Sequence, residues 1–170
     1  MLDFLFRRLT ADPQRGAELF AAVSRIAREP HWYVEGKVPD TIDGRFAVLA
    51  TATALVLARL ESDGERGDAV SVALTERFIE TMEAEHRELG LGDPTLGKTV
   101  RKLVGSLSRR TDLWRSAVAG RTDWASATRD SLYKDGVAAD ALAHSAAAFE
   151  RLWSRLERAG LDEIGQGRLQ

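Results

Sequence analysis

Apolar residues recur along most of the chain at intervals of three and four positions, which is the period of a helix with one buried face. The strict alternation typical of strands is nearly absent. Gly, Pro and Asp separate the apolar runs and mark where helices begin and end. The pattern predicts an all-α, bundle-like fold of about six or seven helices, whose short connections favour antiparallel neighbours.

Two Asp-Pro pairs each predict the start of a helix, because Asp is a favourable N-cap and Pro fits the first helical position. The pair Asp12-Pro13 begins a helix that ends before the next proline, and Asp93-Pro94 begins one that Gly120 closes. The other helices are expected over residues 1–10, from 40 or 41 to 60, from the polar turn at 62–68 to Gly90, from 122 or 123 to 135, and over about 138–159.

The whole chain, residues 1–170, is expected to form one helical domain, with residues 1–10 as a peripheral helix and 161–170 as a loose tail. Residues 30–40 are interpreted as an ordered loop. The inward face of each helix supplies the expected core: Leu2, Leu5, Phe6, Leu9; Leu19, Phe20, Val23, Ile26; Ile42, Phe46, Leu49, Val56, Leu57, Leu60; Val72, Ala73, Phe78, Ile79, Met82, Leu89; Leu96, Val100, Leu103, Val104, Leu107, Trp114, Val118; Leu142, Phe149, Leu152, Trp153 and Leu156.

Composition narrows the function classes. The chain has 170 residues, of which 44% are hydrophobic and 29% charged, so it can bury a core and keep a charged surface. The net charge of −2 is too balanced to indicate a nucleic-acid binder. The absence of cysteine excludes disulfides, thiol nucleophiles, iron–sulfur clusters and cysteine-based zinc sites.

The apolar stretches of the chain predict neither a membrane span nor a secretory signal. The longest uncharged stretch, residues 46–58, would reach roughly 20 Å as a helix, short of the ~30 Å hydrocarbon core. It is interpreted as the central buried helix. The apolar part of the first ten residues is short and interrupted by Asp3, unlike a secretory leader. We expect a cytoplasmic protein, with the inner face of the membrane as a candidate location.

Charge is unevenly distributed along the chain. Residues 61–92 carry nine acids against three arginines, and residues 93–134 carry nine bases against four acids. Two interpretations remain open: two neighbouring helices that attract each other, or a surface of both signs that binds a partner. The acids are Glu61, Asp63, Glu65, Asp68, Glu76, Glu80, Glu83, Glu85 and Glu88; the bases are Lys98, Arg101, Lys102, Arg109, Arg110, Arg115, Arg121, Arg129 and Lys134.

Residues 92–99, GDPTLGKT, match the Walker A consensus for phosphate binding. In a P-loop the match follows a buried strand and its backbone N–H groups cradle the phosphates. Here an acidic, helical segment precedes it, and Pro94 removes one N–H from the cradle. A helix end followed by a new helix start is the better interpretation, and a nucleotide binder remains an alternative.

A second short motif, Glu83-Ala84-Glu85-His86, contains the Glu-x-x-His element of di-iron carboxylate proteins. Such sites need a second copy of the element and two further glutamates. Neither His31 nor His144 has a glutamate three residues before it. A metal protein using Glu83 and His86 is therefore a lesser alternative, and no cofactor is implied.

Two blocks of the chain resemble the ubiquinol–cytochrome c chaperone family. Residues 40–46 read DTIDGRF and residues 78–93 read FIETMEAEHRELGLGD, the latter similar to the family's Phe, Met-Asp, Leu-Arg-Glu, Gly-Val-Gly-Asp pattern. Lys98 after Gly97, and the early His31-Trp32-Tyr33 loop, also fit. The resemblance spans about residues 30–118, and the short chain resembles a bacterial member.

The resemblance implies a non-enzymatic chaperone for cytochrome b, the apolar membrane subunit of the cytochrome bc1 complex. A holder of an apolar segment needs an apolar groove with a charged rim and no catalytic residue. A generic helical adaptor with a soluble partner is the alternative, and the first helix is a candidate for peripheral membrane contact. The residues expected at the client surface are Arg45, Met82, Glu83, Arg87, Gly90, Gly92, Asp93 and Lys98.

Overall fold

The computed structural model describes residues 16–90 and 92–169, with the backbone alone at 93 and 94. The predicted helix at 1–10 and the start at Asp12-Pro13 lie outside these ranges. Within them the structure is helical and has no strand, which confirms the all-α prediction. The helices are α1 Ala17–Ala27, α2 His31–Val34, α3 Ile42–Leu60, α4 Gly64–Glu88, α5 Asp93–Val118, α6 Trp124–Leu132, α7 Ala139–Arg158 and α8 Leu161–Gly165, with a 3-10 turn at Glu61–Asp63.

The central helix is α3, as predicted from its long uncharged stretch. It packs against α1, α4, α5, α6 and α7. Nearly every position from Ala47 to Leu60 is buried. Many of these residues have small side chains, which allow the neighbouring helices to pack closely. The buried hydroxyls of Thr51 and Thr53 donate to the carbonyl oxygens of Ala47 and Leu49, so both are bonded within the helix. Among the helices of the described ranges, α3 included, none is both long and apolar enough to cross a membrane.

The helices α4 and α5 form an antiparallel pair that lies on α3. Gly90, with a φ of 85°, ends the turn after α4, as predicted. The prediction for the next helix was wrong by one residue, because Gly92 is the N-cap and Asp93 is the first residue of α5. At the far end of the pair, Arg115 donates to Glu61 at 2.9 Å, which fixes the alignment of the two helices.

The segment 30–40 contains the helical turn α2, where the sequence predicted only a loop. Buried Trp32 anchors it, because its Nε1 donates to the carbonyl oxygen of Ile26 at 2.7 Å and its ring lies 4.6 Å from that of Phe149. The Tyr33 hydroxyl donates to the carbonyl oxygen of Ala27 at 2.7 Å. The segment is therefore held to α1 and to α7.

The start of α3 depends on a glycine. The Thr41 side chain caps the helix by accepting from the Gly44 N–H at 3.1 Å. A Cβ at Gly44 would lie 1.9 Å from the carbonyl oxygen of Pro39, so the chain before α3 can cross its first turn only if residue 44 has no side chain. Gly44 thus sets the angle between the segment 30–40 and α3.

Three residues predicted for the core are exposed. Ile42 is 66% exposed, Leu89 61% and Val72 40%. Ile42 lies in the first turn of α3, before that helix enters the core, and Leu89 lies at the C-terminal cap of α4. Val72 points away from α3, on the side of α4 opposite buried Leu74 and Phe78.

The expectation of a loose tail after residue 160 was wrong. Residues 161–165 form α8, which packs on α1, and both Ile164 and Leu169 are buried. Gly167 has a φ of 70° and turns the chain against α1, where a Cβ would lie 2.5 Å from the carbonyl oxygen of Glu18. Too few apolar residues follow Gly160 to give a sustained helical period in the sequence, yet Ile164 and Leu169 both belong to the core.

If the tail closes the core, Ile164→Ala should lower the free energy of unfolding by about 2–5 kcal/mol, because it empties a fully buried site. Urea denaturation followed by circular dichroism measures this. Exposed Gln166, in the same segment, is the control, and Gln166→Ala should change the value by less than about 0.5 kcal/mol. Equal effects of the two substitutions would contradict the docking of the tail.

Gly44→Ala should destabilise the protein by about 1–3 kcal/mol, since the added methyl group displaces the backbone of Pro39. Gly105→Ala is a matched control in the interior of α5, where nothing lies within 4 Å of the added Cβ. That control should instead stabilise the protein by about 0.5–1 kcal/mol through helix propensity. Thermal melts of both variants measure these changes in stability. An increase in the stability of the Gly44→Ala variant would refute the steric argument.

Candidate functional site

An open groove of about 720 Å³ lies where the end of α1, the segment 30–46 and the C-terminal half of α4 meet, with Leu103 of α5 at its edge. Its walls are largely apolar. The apolar lining residues are Phe20, Ala27, Pro30, Tyr33, Val34, Ile42, Phe46, Leu49, Met82 and Leu103.

Two of these lining residues are widely open to solvent. Val34 is 56% exposed and Ile42 is 66% exposed. Only four large apolar side chains are exposed among the residues that the structure describes, and these two lie on one groove. Single exposed apolar residues need no explanation, but a pair that flanks an apolar groove is typical of a binding surface.

The base of the groove includes Phe46, whose ring is held from two sides. The ring of buried Phe78 lies 6.0 Å away, and the guanidinium of Arg110 lies 5.8 Å from the Phe46 centroid. Arg110 itself is fixed by donating to the carbonyl oxygen of Ser131 at 2.8 Å. Burial lowers the pKa of Arg110 from its ordinary value.

Charged side chains form the rim of the groove. Arg45 donates to Asp40 at 2.6 Å, and this hydrogen bond lowers the pKa of the Asp40 carboxyl. Asp43 pairs with Lys134 of the chain after α6 at 2.6 Å. The remaining charged or titratable rim residues are Arg28, Glu85 and His86.

The structure brings two of the residues expected at the client surface, Arg45 and Met82, into this groove. Met82 is buried and Arg45 is exposed, so one contributes to the wall and the other to the rim. Five others lie outside it, at the end of α4, in the turn and on the first part of α5: Glu83, Arg87, Gly90, Gly92 and Lys98. Asp93 is the first residue of α5.

His86 lies on the groove side of α4, and its Nδ1 is 2.7 Å from the carbonyl oxygen of Met82. This contact is local to one helical turn. Within residues 16–90 and 92–169, no cluster of three His, Asp or Glu side chains is arranged to hold a metal ion.

The Walker A match does not have the surroundings of a P-loop. Residues 93–99 belong to α5, and the element before the match is the helix α4. A P-loop needs a strand in that position and a loop in front of the helix. The structure therefore agrees with the interpretation of residues 90–94 as the end of one helix and the start of another.

Sequence reasoning missed the part of the groove contributed by Val34, Tyr33 and Ile42. Ile42 was assigned to the core because its spacing continues the apolar face of α3. Its place one residue after the Thr41 cap was the available signal, since first-turn residues often precede the buried part of a helix. Only the tertiary contacts of the segment 30–40 show that Val34 and Ile42 share one rim.

The structure also joins two histidines that are 113 residues apart. His31 Nδ1 lies 3.0 Å from His144 Nε2, and His31 Nε2 lies 2.9 Å from Glu29. Tyr133 donates to the carbonyl oxygen of Gly36, and its hydroxyl also lies 2.9 Å from the Ser145 hydroxyl. These contacts attach the segment 30–40 to α7 and stabilise one wall of the groove.

Comparison with known proteins identifies the family to which this chain belongs. The family model described as ubiquinol-cytochrome C chaperone matches residues 34–170. Among solved structures, the crystal structure of the Cbp3 homolog from Brucella abortus is similar, with a TM-score of 0.76 and 23% identity over 98% of this chain and 94% of that one. No curated protein sequence matches. Since the family model covers most of the chain, including most of the groove, the protein belongs to the ubiquinol–cytochrome c chaperone family.

Proposed function

We propose that this chain is a non-enzymatic chaperone that holds an apolar segment of cytochrome b while the cytochrome bc1 complex is assembled. The family supports the chaperone role in that assembly. The observation that carries the choice of site is the apolar groove with exposed Val34 and Ile42 on its rim. The client segment is proposed to lie along that groove.

The groove offers what an apolar segment needs. Covering Val34 and Ile42 removes apolar surface from water, and each such side chain contributes ~1.5–3 kcal/mol when fully buried. Met82 adds a flexible thioether wall that adapts to client side chains of different shape. Such a site is suited to binding many related apolar sequences and is not specific for one sequence.

The rim is suited to releasing the client. Arg45, Asp40 and Asp43 already form pairs within the chain, so the rim offers little net charge to bind a polar ligand tightly. Exposed ion pairs of this kind contribute little to binding energy. The free energy of binding would then come mainly from apolar contact, which a competing membrane environment can replace.

Ile42→Asp and Val34→Asp should each reduce client recovery by about tenfold or more, because each places a charge where the client's apolar surface docks. Recovery is measured by pull-down from detergent-solubilised membranes with cytochrome b identified by mass spectrometry. Both side chains are exposed, so the thermal midpoint of each variant should stay nearly unchanged.

The chain supplies matched controls for this experiment. Val72 and Leu89 are also exposed apolar residues but lie outside the groove, so Val72→Asp and Leu89→Asp should leave recovery intact. If Leu89→Asp and Arg87→Glu abolish recovery while the groove variants do not, the client docks at the α4–α5 turn. Recovery of a soluble protein in place of cytochrome b would favour the adaptor alternative.

Deletion of the gene should lower the amount of assembled cytochrome bc1 complex in membranes of the source organism. The b-type haem signal in reduced-minus-oxidised difference spectra, together with native gel electrophoresis, measures this loss. The wild-type chain and Val72→Asp should restore the signal, and Ile42→Asp should not. A normal haem signal in the deletion strain would refute the assembly role. That result would not bear on whether the groove binds a partner.

A further inference from the structure

The helices α4 and α5 carry charges of opposite sign that form no ion pair with each other in the described ranges. We define the acidic stripe as Glu76, Glu80 and Glu83 on α4, and the basic stripe as Lys98, Arg101, Lys102 and Arg109 on α5. Glu83 is half-buried and the other six residues are exposed. In the part of the chain that the structure describes, no ion pair joins one stripe to the other.

The one ion pair that a stripe residue forms within the described ranges is local, between Glu80 and Arg77 one helical turn earlier, at 3.3 Å. The stripes therefore do not supply direct ion pairs between the two neighbouring helices within the described ranges. Arg115 pairs with Glu61, one of the acids of residues 61–92. Arg115 lies outside both stripes.

Both stripes lie on the outward faces of two helices that contact each other. The helices α4 and α5 both pack on α3, and each stripe lies opposite the buried residues of its helix, Leu74 and Phe78 on α4 and Leu107 and Trp114 on α5. The stripes therefore point away from α3 together. Positive and negative charge lie side by side on one exposed surface.

The stripes are also level with each other along the pair. Glu83 lies five residues before the end of α4 at Glu88, and Lys98 lies five residues after the start of α5 at Asp93. Glu80 and Arg101 are each eight residues from the same ends. Because the helices run antiparallel, Glu83 stands at the height of Lys98, and Glu80 stands at the height of Arg101.

We propose that this surface binds a second copy of the same chain about a twofold axis. An axis that runs parallel to the pair, in front of its exposed surface and level with the space between the two helices, places α4 of one copy over α5 of the other without changing the height of any residue. Each acidic stripe then faces the basic stripe of the partner, twice per dimer, as an isologous interface requires.

Charge complementarity favours this occupant over a uniformly anionic one. A lipid surface or RNA that attracted the basic stripe would also bring the three glutamates into its negative potential. A second copy presents both signs in the matching order. Gly105 lies on the same face of α5 as the basic stripe, with open space around its Cβ position, so the partner helix can approach the backbone there.

Two charge-reversal variants test the proposal. The first reverses three of the four residues of the basic stripe by Lys98→Glu, Arg101→Glu and Lys102→Glu and leaves Arg109 in place. The second reverses the acidic stripe by Glu76→Lys, Glu80→Lys and Glu83→Lys. Sedimentation velocity over a range of concentrations, at about 0.05 M and about 0.5 M salt, reports the association of each chain. Circular dichroism melts confirm that each variant is folded.

The wild-type chain should dimerise at low salt, with an apparent Kd that rises by about tenfold or more at high salt. Each variant alone should be monomeric, because like charges now face each other at both contacts. An equimolar mixture of the two variants should form a heterodimer, and a chain carrying all six substitutions should again form a homodimer. Only a contact of α4 with α5 of the partner gives this pattern.

Three results would overturn the proposal. The first is a wild-type chain that is monomeric at every concentration and salt level. The second is a dimer that both variants retain. The third is a failure of the folded variants to associate when mixed. Vesicles containing phosphatidylglycerol and a single-stranded RNA serve as further probes, and binding of monomeric wild type to either would assign the basic stripe to that partner instead.

Discussion

The rest of the structure depends on the burial of α3. A helix can be surrounded by five others only if its side chains are small, and the stretch from Ala47 to Ala58 supplies alanine, threonine and valine at most positions. Two of its hydroxyls are satisfied within the helix itself, so burial leaves them bonded. Close packing on this helix fixes the positions of α1, α4 and α5, which form the groove.

The groove arises because the buried part of α3 does not begin at its first residue. In the first turn, Ile42, Asp43 and Arg45 are exposed. Gly44 lets the preceding chain cross that turn closely, and Trp32 and Tyr33 tie the same chain to α1. The contacts of Trp32 and Tyr33 therefore hold the segment 30–40 in place while its apolar Val34, and Ile42 beside it, stay exposed to water, where a partner can cover them.

Two faces of α4 have different physical character. One face lines the groove with Thr81, Met82 and Glu85, and the opposite face carries the acidic stripe. Apolar contact and charge pairing differ in their response to salt, because screening weakens pairing between exposed charges and leaves apolar burial largely unaffected. A client in the groove and a second chain on the stripes would thus be separable by ionic strength alone.

The sequence by itself determined the longer helices, because the apolar period, the proline and glycine positions and the caps are local signals, but it missed the short helices α2 and α8. It placed α3 at the centre, Gly90 at the end of α4 and the start of α6 at residue 122 or 123. The structure shows that Asp123 is the cap, and its side chain accepts from the Ser126 N–H. The family resemblance rested on two short blocks, and one of them contains Gly44 and Arg45 beside the groove.

Tertiary structure alone decided which apolar residues are covered. Ile42 and Ile164 are both isoleucines near a helix start, yet the first is 66% exposed and the second fully buried. The difference is whether another helix lies opposite: α1 covers Ile164, and no described residue covers Ile42. The same holds for charge, since the periodicity placed Glu83 and Lys98 on helix surfaces, and only the packing of α4 and α5 on α3 shows that they face one side without pairing.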